Sequence, residues 1–241
     1  MSDDIFLSVV IPAYNETHRL PQTFREIRPW LDAQKYNYEI LIMDDTSADQ
    51  TAPMCREAAK NWPQLVCVDG YPHGGKGVCV KRGALMAKGK NILIMDADHP
   101  TPIDTLDLMF PYMETYEAVV GVRTFCGEEG SSGRFRRIVG LLQQLLAHII
   151  VYKQSVADSQ CGFKLFSQAA AKTIFSRSLV PGGMYDVEIF LIAQIHRVKI
   201  FSKPVKWVNK DGSTINMTRC IFSDPFSLIY IRLMDWAGRY R

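Results

Sequence analysis

The first half of the chain alternates short apolar runs with segments of helical periodicity, and no other feature restricts its fold as much. Residues 6–11, 39–43, 65–68, 91–95 and 118–122 are apolar and β-branched and read as strands. Between them, residues 20–34, 51–61, 77–87 and 105–116 carry a helical pattern. Short strands without polar alternation, separated by helices of about ten to fifteen residues, imply βαβ units around a buried parallel sheet. Pro12 closes the first strand, and Ser47 or Asp49 is a candidate cap for the helix starting at Thr51. Acidic or amide residues follow the strands: Asn15 and Glu16, Asp44 and Asp45, Asp96 and Asp98. In an open α/β sheet the carboxyl ends of the strands are where ligands bind.

The second half follows a different plan. Residues 127–133 (GEEGSSG) read as a loop, 134–152 as a long helix that starts basic, 184–196 as a helix, and 199–208 as one or two strands. Asp211-Gly212-Ser213 is a turn, and Asp224-Pro225 opens a last amphipathic helix over 226–241. That helix carries Phe226, Leu228, Ile229, Ile231, Leu233, Met234 and Trp236 among Arg232, Arg239 and Arg241. Such a segment suits a membrane interface, a second copy of the chain, or packing on its own domain.

Composition narrows the class. The 241 residues suffice for one α/β domain, and 47% hydrophobic with 22% charged residues excludes a disordered chain. No apolar run reaches the roughly 20 residues of a spanning helix; the best candidate, 138–152, is broken by Gln143, Gln144 and His148. The acidic start enters a strand directly, unlike a secretory signal, and the six cysteines show no C-x-x-C spacing. These features together lead us to expect a cytoplasmic protein. The net charge of +3 does not suggest a nucleic-acid binder, but it conceals a division. Residues 1–129 hold 12 basic and 19 acidic side chains, and residues 130–241 hold 16 and 6. An acidic half with strand-end aspartates suits a metal, and a basic half suits phosphates or an anionic surface.

Asp96-Ala97-Asp98 is the sharpest local signal. Two carboxylates at i and i+2 after a strand can share one divalent ion with a diphosphate, since Mg²⁺ and Mn²⁺ favour carboxylate and phosphate oxygens. Asp44-Asp45 is either a solvated turn or an acceptor for a nucleobase or ribose. His73-Gly74-Gly75-Lys76-Gly77 lacks the P-loop spacing; its glycines permit a tight turn before a helix, with Lys76 near a nucleotide. His99, beside the aspartates, is the histidine most worth testing.

Together these motifs reach a family. Val9-Val10-Ile11-Pro12-Ala13-Tyr14-Asn15-Glu16 resembles the opening of family 2 glycosyltransferases with the GT-A fold. Met43-Asp44-Asp45-Thr46-Ser47-Ala48-Asp49 resembles their V-D-D-G-S-x-D turn, with Thr46 in place of the usual glycine, and Asp96-Ala97-Asp98 stands for their D-x-D. Asp158-Ser159-Gln160-Cys161-Gly162-Phe163-Lys164-Leu165-Phe166 resembles a D-[ST]-Q-C-G-F-K-L-F stretch of dolichyl-phosphate β-glucosyltransferases and their prokaryotic relatives. Tyr185-Asp186-Val187-Glu188 resembles their F-D-V-E, and Val205-x-Trp207 with Gly212-Ser213 their V-x-W and G-S turn. The resemblance runs from about residue 5 to 216, without an N-terminal membrane anchor.

The resemblance implies an α/β GT-A fold, a Rossmann-like and mostly parallel central sheet flanked by helices. Residues 1–220 would form the transferase domain, 1–125 its nucleotide-sugar half and 126–220 its acceptor half, followed by the amphipathic helix 221–241. Pro12, Tyr14, Glu16, Asp44, Asp45, Lys76 and Asp96 would bind the donor, UDP-glucose or GDP-mannose. Asp96 and Asp98 would hold Mg²⁺ or Mn²⁺. Arg123, Arg134, Arg136 and Arg137 would clamp the phosphate of a polyprenyl-phosphate acceptor. Asp158, Asp186 and Glu188 are the carboxylates that could orient the acceptor, pair with the arginines or act as base. The implied reaction is inverting transfer of a hexose, glucose by the resemblance, by a protein located at most peripherally on the cytoplasmic membrane face. A soluble sugar or hydroxyl acceptor is the alternative, and an inactive nucleotide-sugar binder a third reading.

Overall fold

The computed structural model describes residues 4–125, 145–151, 158–208 and 217–241. Seven strands form one sheet: β1 (Leu7–Ala13), β2 (Tyr38–Asp44), β3 (Leu65–Val68), β4 (Asn91–Ile94), β5 (Ala118–Phe125), β6 (Lys164–Ser167) and β7 (Ile200–Trp207). Their order is β3-β2-β1-β4-β6-β5-β7. β6 runs antiparallel to both its neighbours and the remaining pairs are parallel. The sheet is therefore mostly parallel, as expected. The order turns from one side of β1 to the other between β2 and β4, which creates a switch point at the carboxyl edge. β6 enters that edge from the opposite direction, with Lys164 level with Ile94 of β4 and Val120 of β5.

Successive strand residues face opposite sides, and both sides are covered. Leu7, Val9, Ile11, Ile40, Ile42 and Leu93 pack towards α1 (Leu20–Asp32), α2 (Thr51–Lys60) and α4 (Thr105–Met109). Val10, Leu41, Met43, Ile92 and Ile94 pack towards α3 (Lys76–Met86), α6 (Gln168–Phe175), α7 (Tyr185–Ile195) and the end of α8 (Met217–Trp236). Residues 145–150 form a helical turn, α5, whose Ala147 joins the same core. α7 is buried along most of its length, from Tyr185 to Ala193, so its apolar residues show little preference for one face.

Four details depart from the sequence reading. β1 continues through Pro12 to Ala13, because its pairing with β4 has already ended at Val10. The helix expected over 105–116 is α4 followed by a 3₁₀ turn, Phe110–Glu114, since Pro111 has no N–H for an α-helical bond. β6 and α6 were not anticipated; Ser167 caps α6 by accepting from the Ala170 N–H at 3.2 Å. The last helix begins at Met217 rather than at Asp224-Pro225 and carries Pro225 within it, so it starts before the expected boundary at residue 220. Leu228 and Ile231 face the core, while Phe226 (74% exposed), Ile229, Tyr230, Leu233 and Trp236 (68%) face outward. No helix among the described residues is long and apolar enough to cross a membrane.

Candidate active site

The turns after β1 and β2 are knitted together by side chains. Asn15, at a positive φ of 55° that asparagine tolerates, accepts from the Ala48 N–H at 2.9 Å, and its own N–H donates to Ser47 Oγ at 2.9 Å. The Glu16 N–H donates to Thr51 Oγ1 at 2.8 Å. Asp44 is buried and accepts from the Ser47 hydroxyl at 2.6 Å and the Ser47 N–H at 3.1 Å. Gln50, not Asp49 or Ser47, is the N-cap residue of α2; Asp49 accepts from the Thr17 N–H and from the N–H of Thr51, the first residue of the helix. Burial is the largest single influence and raises its pKa, but the Thr17 and Thr51 hydroxyls and N–H groups together prevail and hold its carboxyl down at about 2. Thr46 lies at φ 62°, where the family's glycine would be unstrained, and its hydroxyl donates to the Tyr71 carbonyl at 2.6 Å.

Asp45 organises the glycine-rich turn. Its two carboxylate oxygens accept from the Gly74 N–H at 2.7 Å and the Gly75 N–H at 2.8 Å, and His73 Nδ1 lies 3.0 Å away. Gly75 has φ 85°, and a Cβ there would meet the Pro181 carbonyl at 2.7 Å, so this turn requires glycine. Tyr14, 46% exposed, lies against the His73 ring with centroids 5.2 Å apart and forms an open aromatic wall at this edge.

α3 starts at Lys76, whose ammonium reaches Asp96 Oδ1 at 2.6 Å. Burial works against both charges, yet their mutual attraction lowers the Asp96 pKa and raises that of Lys76. Asp98 behaves in the opposite sense: burial first, and then Asp96, raise its pKa, with Arg19 and Lys76 opposing. Glu16 is raised too, by burial and despite Arg19, which donates to both its oxygens. Three carboxylates thus share one edge with too little positive charge to neutralise them. That set fits a hard divalent cation, which needs only one or two protein carboxylates when substrate phosphates complete its shell. Among the described residues no group of three or more His, Cys, Asp or Glu is placed to hold a metal ion by itself, so an ion here would depend on one or two carboxylates and the donor phosphates.

The later motif closes the site from the other side. Asp158 receives Arg123 in a two-pronged pair, Nε to Oδ2 at 2.8 Å and Nη2 to Oδ1 at 3.0 Å, and also accepts from the backbone N–H groups of Arg123 and Gln160. Burial opposes ionisation there, but Arg123 outweighs it and the Asp158 pKa falls. Lys164, fully buried, donates to Asp186 at 2.6 Å. Gly162 lies so near Asp96 that a Cβ on it would be 1.9 Å from Oδ2.

Glu188 is 0% exposed; it accepts from the Leu179 and Val180 N–H groups at 2.7 and 3.0 Å and from the Tyr240 hydroxyl at 2.8 Å. It fastens the chain end and the 179–180 segment, and it does not join the group around Asp96. The sequence-predicted Glu16, Lys76, Asp96 and Asp98 do come together, Tyr14 and Asp45 meet through His73, and Arg123 pairs with Asp158. Arg134, Arg136, Arg137 and Gly212-Ser213 lie outside the described residues. Arg19 and Thr23 escaped the sequence reading, which quoted Gly162 within its motif but gave it no role beside Asp96. Arg19 carried one available signal, its i, i+3 spacing from Glu16.

A doubly wound sheet that gathers a D-x-D turn, a lysine and an aromatic wall at its switch point defines a nucleotide-sugar-dependent transferase of the GT-A type. The chain belongs to glycosyl transferase family 2, whose profile matches residues 8–175. A dolichyl-phosphate beta-glucosyltransferase of Trichomonas vaginalis is 31% identical over 254 residues, covering 98% of this chain and 77% of that protein. The Dictyostelium discoideum and human enzymes of the same description are 32% and 28% identical, covering 93% and 98% of this chain and 71% and 77% of theirs. The crystal structure of M. tuberculosis glucosyl-3-phosphoglycerate synthase is similar in fold, with a TM-score of 0.66 at 20% identity over 97% of this chain and 81% of that one. A complex of that synthase with Mn²⁺ and UDP-glucose gives 0.64 at 18%, over 97% and 79%.

Proposed function

We propose that the protein transfers glucose from UDP-glucose to a polyprenyl phosphate, with inversion and with the help of Mg²⁺ or Mn²⁺. One observation carries this reading: the likeness to dolichyl-phosphate beta-glucosyltransferases spans 98% of the chain, the acceptor half included. Residues 1–125 act as the donor half of one transferase domain and 126–220 as its acceptor half. Tyr14 stacks on the nucleobase, and Asp45 and Gly75 hold the turn that presents Lys76 to the donor. Asp96 and Asp98 are the residues that would hold the divalent ion, which supplies neutralising charge to the departing diphosphate. Lys76 adds to that neutralisation from the protein side.

An acceptor phosphate is already anionic at neutral pH. An oxygen of it attacks C1 of the glucose, the bond from C1 to the UDP oxygen breaks, and UDP departs with the electron pair. No proton has to be removed, so the chain needs no general base. Asp158, saturated by Arg123, is a poor base in any case; we assign it to aiming the guanidinium at the acceptor phosphate. Asp186 neutralises Lys164, and Glu188 has a structural role. The outward stripe of α8, with Arg232 lying 5.2 Å above the Trp236 ring, rests on the membrane surface in which such an acceptor dissolves.

The test offers UDP-glucose and GDP-mannose, each with polyprenyl phosphate or with free sugars, in Mg²⁺, in Mn²⁺ and in chelator. Metal-dependent label in the organic phase from UDP-glucose alone is the expected result. Transfer only to a water-soluble acceptor overturns the lipid reading, and organic-phase label from GDP-mannose alone overturns the donor.

A further inference from the structure

The D-x-D turn is gripped from outside by one stripe of α1. Thr23 donates its hydroxyl to the Ala97 carbonyl at 2.7 Å and is itself buried. Glu26 Oε2 meets His99 Nδ1 at 2.7 Å, with the imidazole buried. Arg19, at the head of the helix, lies 3.6 Å from Asp98 Oδ2. Spacings of four and three residues put 19, 23 and 26 on one helix face, where they meet Asp98, Ala97 and His99 of the Asp96–His99 turn respectively. His99 adopts φ 48°, a left-handed conformation costly for a side chain with a Cβ, and its N–H closes the turn onto the Asp96 carbonyl at 3.1 Å.

These contacts oppose a definite force. Asp96, Asp98 and Glu16 repel one another, and the backbone after Asp98 is strained, so a free turn would relax by spreading the carboxylates. A fixed helix face prevents that. We propose that Glu26, through His99, is a positioning residue that presets the two aspartates for the divalent ion and the donor diphosphate. This rests on the metal-dependent reading above. Partners outside a metal's own ligands commonly change its affinity by about 10- to 100-fold.

The test measures Mn²⁺ binding by electron paramagnetic resonance in the presence of UDP, on wild type, Glu26→Ala, Glu26→Gln, His99→Gly and the Glu26→Ala/His99→Gly double variant. Amide exchange of residues 96–99 is followed without metal, and Tm is recorded for each. Glu26→Ala and His99→Gly should each weaken Mn²⁺ about 10-fold or more and speed exchange in the turn. Their effects should not add in the double variant, and Glu26→Gln should recover part of the loss. With Mn²⁺ held at saturation, kcat should fall while KM for the donor moves little; at limiting Mn²⁺ the apparent KM should rise. His99→Gly removes the anchor yet tolerates the backbone angle, so it keeps the test open if Glu26→Ala folds poorly. Mn²⁺ affinity within twofold of wild type in both single variants, or additive losses, overturns the proposal. Wild type that binds no Mn²⁺ with UDP overturns the metal reading and this inference with it, whereas normal wild-type binding with unaffected variants overturns the inference alone.

Discussion

Replacing Gly162 by alanine should disable the enzyme through a single methyl group. Gly162 has no left-handed backbone angle, so alanine is conformationally permitted and the effect isolates the contact. The new Cβ would lie 1.9 Å from Asp96 Oδ2, 2.3 Å from its Cγ and 2.7 Å from Oδ1, where real Cβ contacts begin near 3.0 Å. Either the carboxylate or the loop at 162 must retreat by roughly 1 Å, and Asp96 would leave the Lys76 ammonium it now holds at 2.6 Å. A misplacement of about 1 Å in a preorganised site costs on the order of 10²-fold in rate, or about 2.7 kcal/mol of barrier. The assay is kcat/KM for transfer at saturating Mn²⁺, with circular dichroism to confirm folding. Gly182→Ala serves as control, since a Cβ there meets nothing within 4 Å. Gly162→Ala retaining more than about a third of wild-type kcat/KM would refute the reasoning.

Four further outcomes are expected. Arg123→Ala and Asp158→Ala should each raise KM for the lipid acceptor about tenfold without shifting the pH profile of kcat, and the double variant should be no worse, because the two act as one unit. Glu188→Ala leaves two N–H groups and the Tyr240 hydroxyl without their acceptor and should cost roughly 3 kcal/mol, lowering Tm by about 6–12 °C while activity persists at low temperature; Tyr240→Phe should cost about 1 kcal/mol. The folded-state pKa of Asp49 is depressed to about 2, so its stabilisation is present above the ordinary carboxylate range and is lost as pH falls towards that value. The Tm gap between wild type and Asp49→Ala should therefore be full at pH 7 and close near pH 2. Ile229→Glu with Leu233→Glu should reduce vesicle co-sedimentation and transfer to acceptor in vesicles, with little change for a short-chain acceptor in solution.

The first half was legible because its strands are continuous apolar runs; residues 65–68 of the sequence reading are β3 as observed. β6 was hidden because a four-residue strand beginning with a lysine shows no periodicity, and Lys164 is tolerable inside the sheet through Asp186, 22 positions away, and the Cys161 carbonyl. Pro111 showed where α4 had to tighten, yet helical spacing on both sides of it suggested one continuous helix. The acidic pairs announced the site edge through their position after strands. Their partners were not readable: Asp45 with Gly74 and Gly75, Asp158 with Arg123, and Gly162 against Asp96 are contacts between distant segments. For that reason the sequence left Asp158 open between orienting the acceptor, pairing with an arginine and acting as base, whereas in the structure its oxygens are occupied by the Arg123 guanidinium and two N–H groups.

The most direct measurement is the structure of the product. Wild-type protein is incubated with UDP-glucose, polyprenyl phosphate and Mn²⁺, and the lipid fraction is examined by mass spectrometry and by NMR of the anomeric proton. A single hexose joined to the lipid phosphate in the β configuration is the predicted result. An α-linked product, or free glucose with an unmodified lipid, would contradict the account.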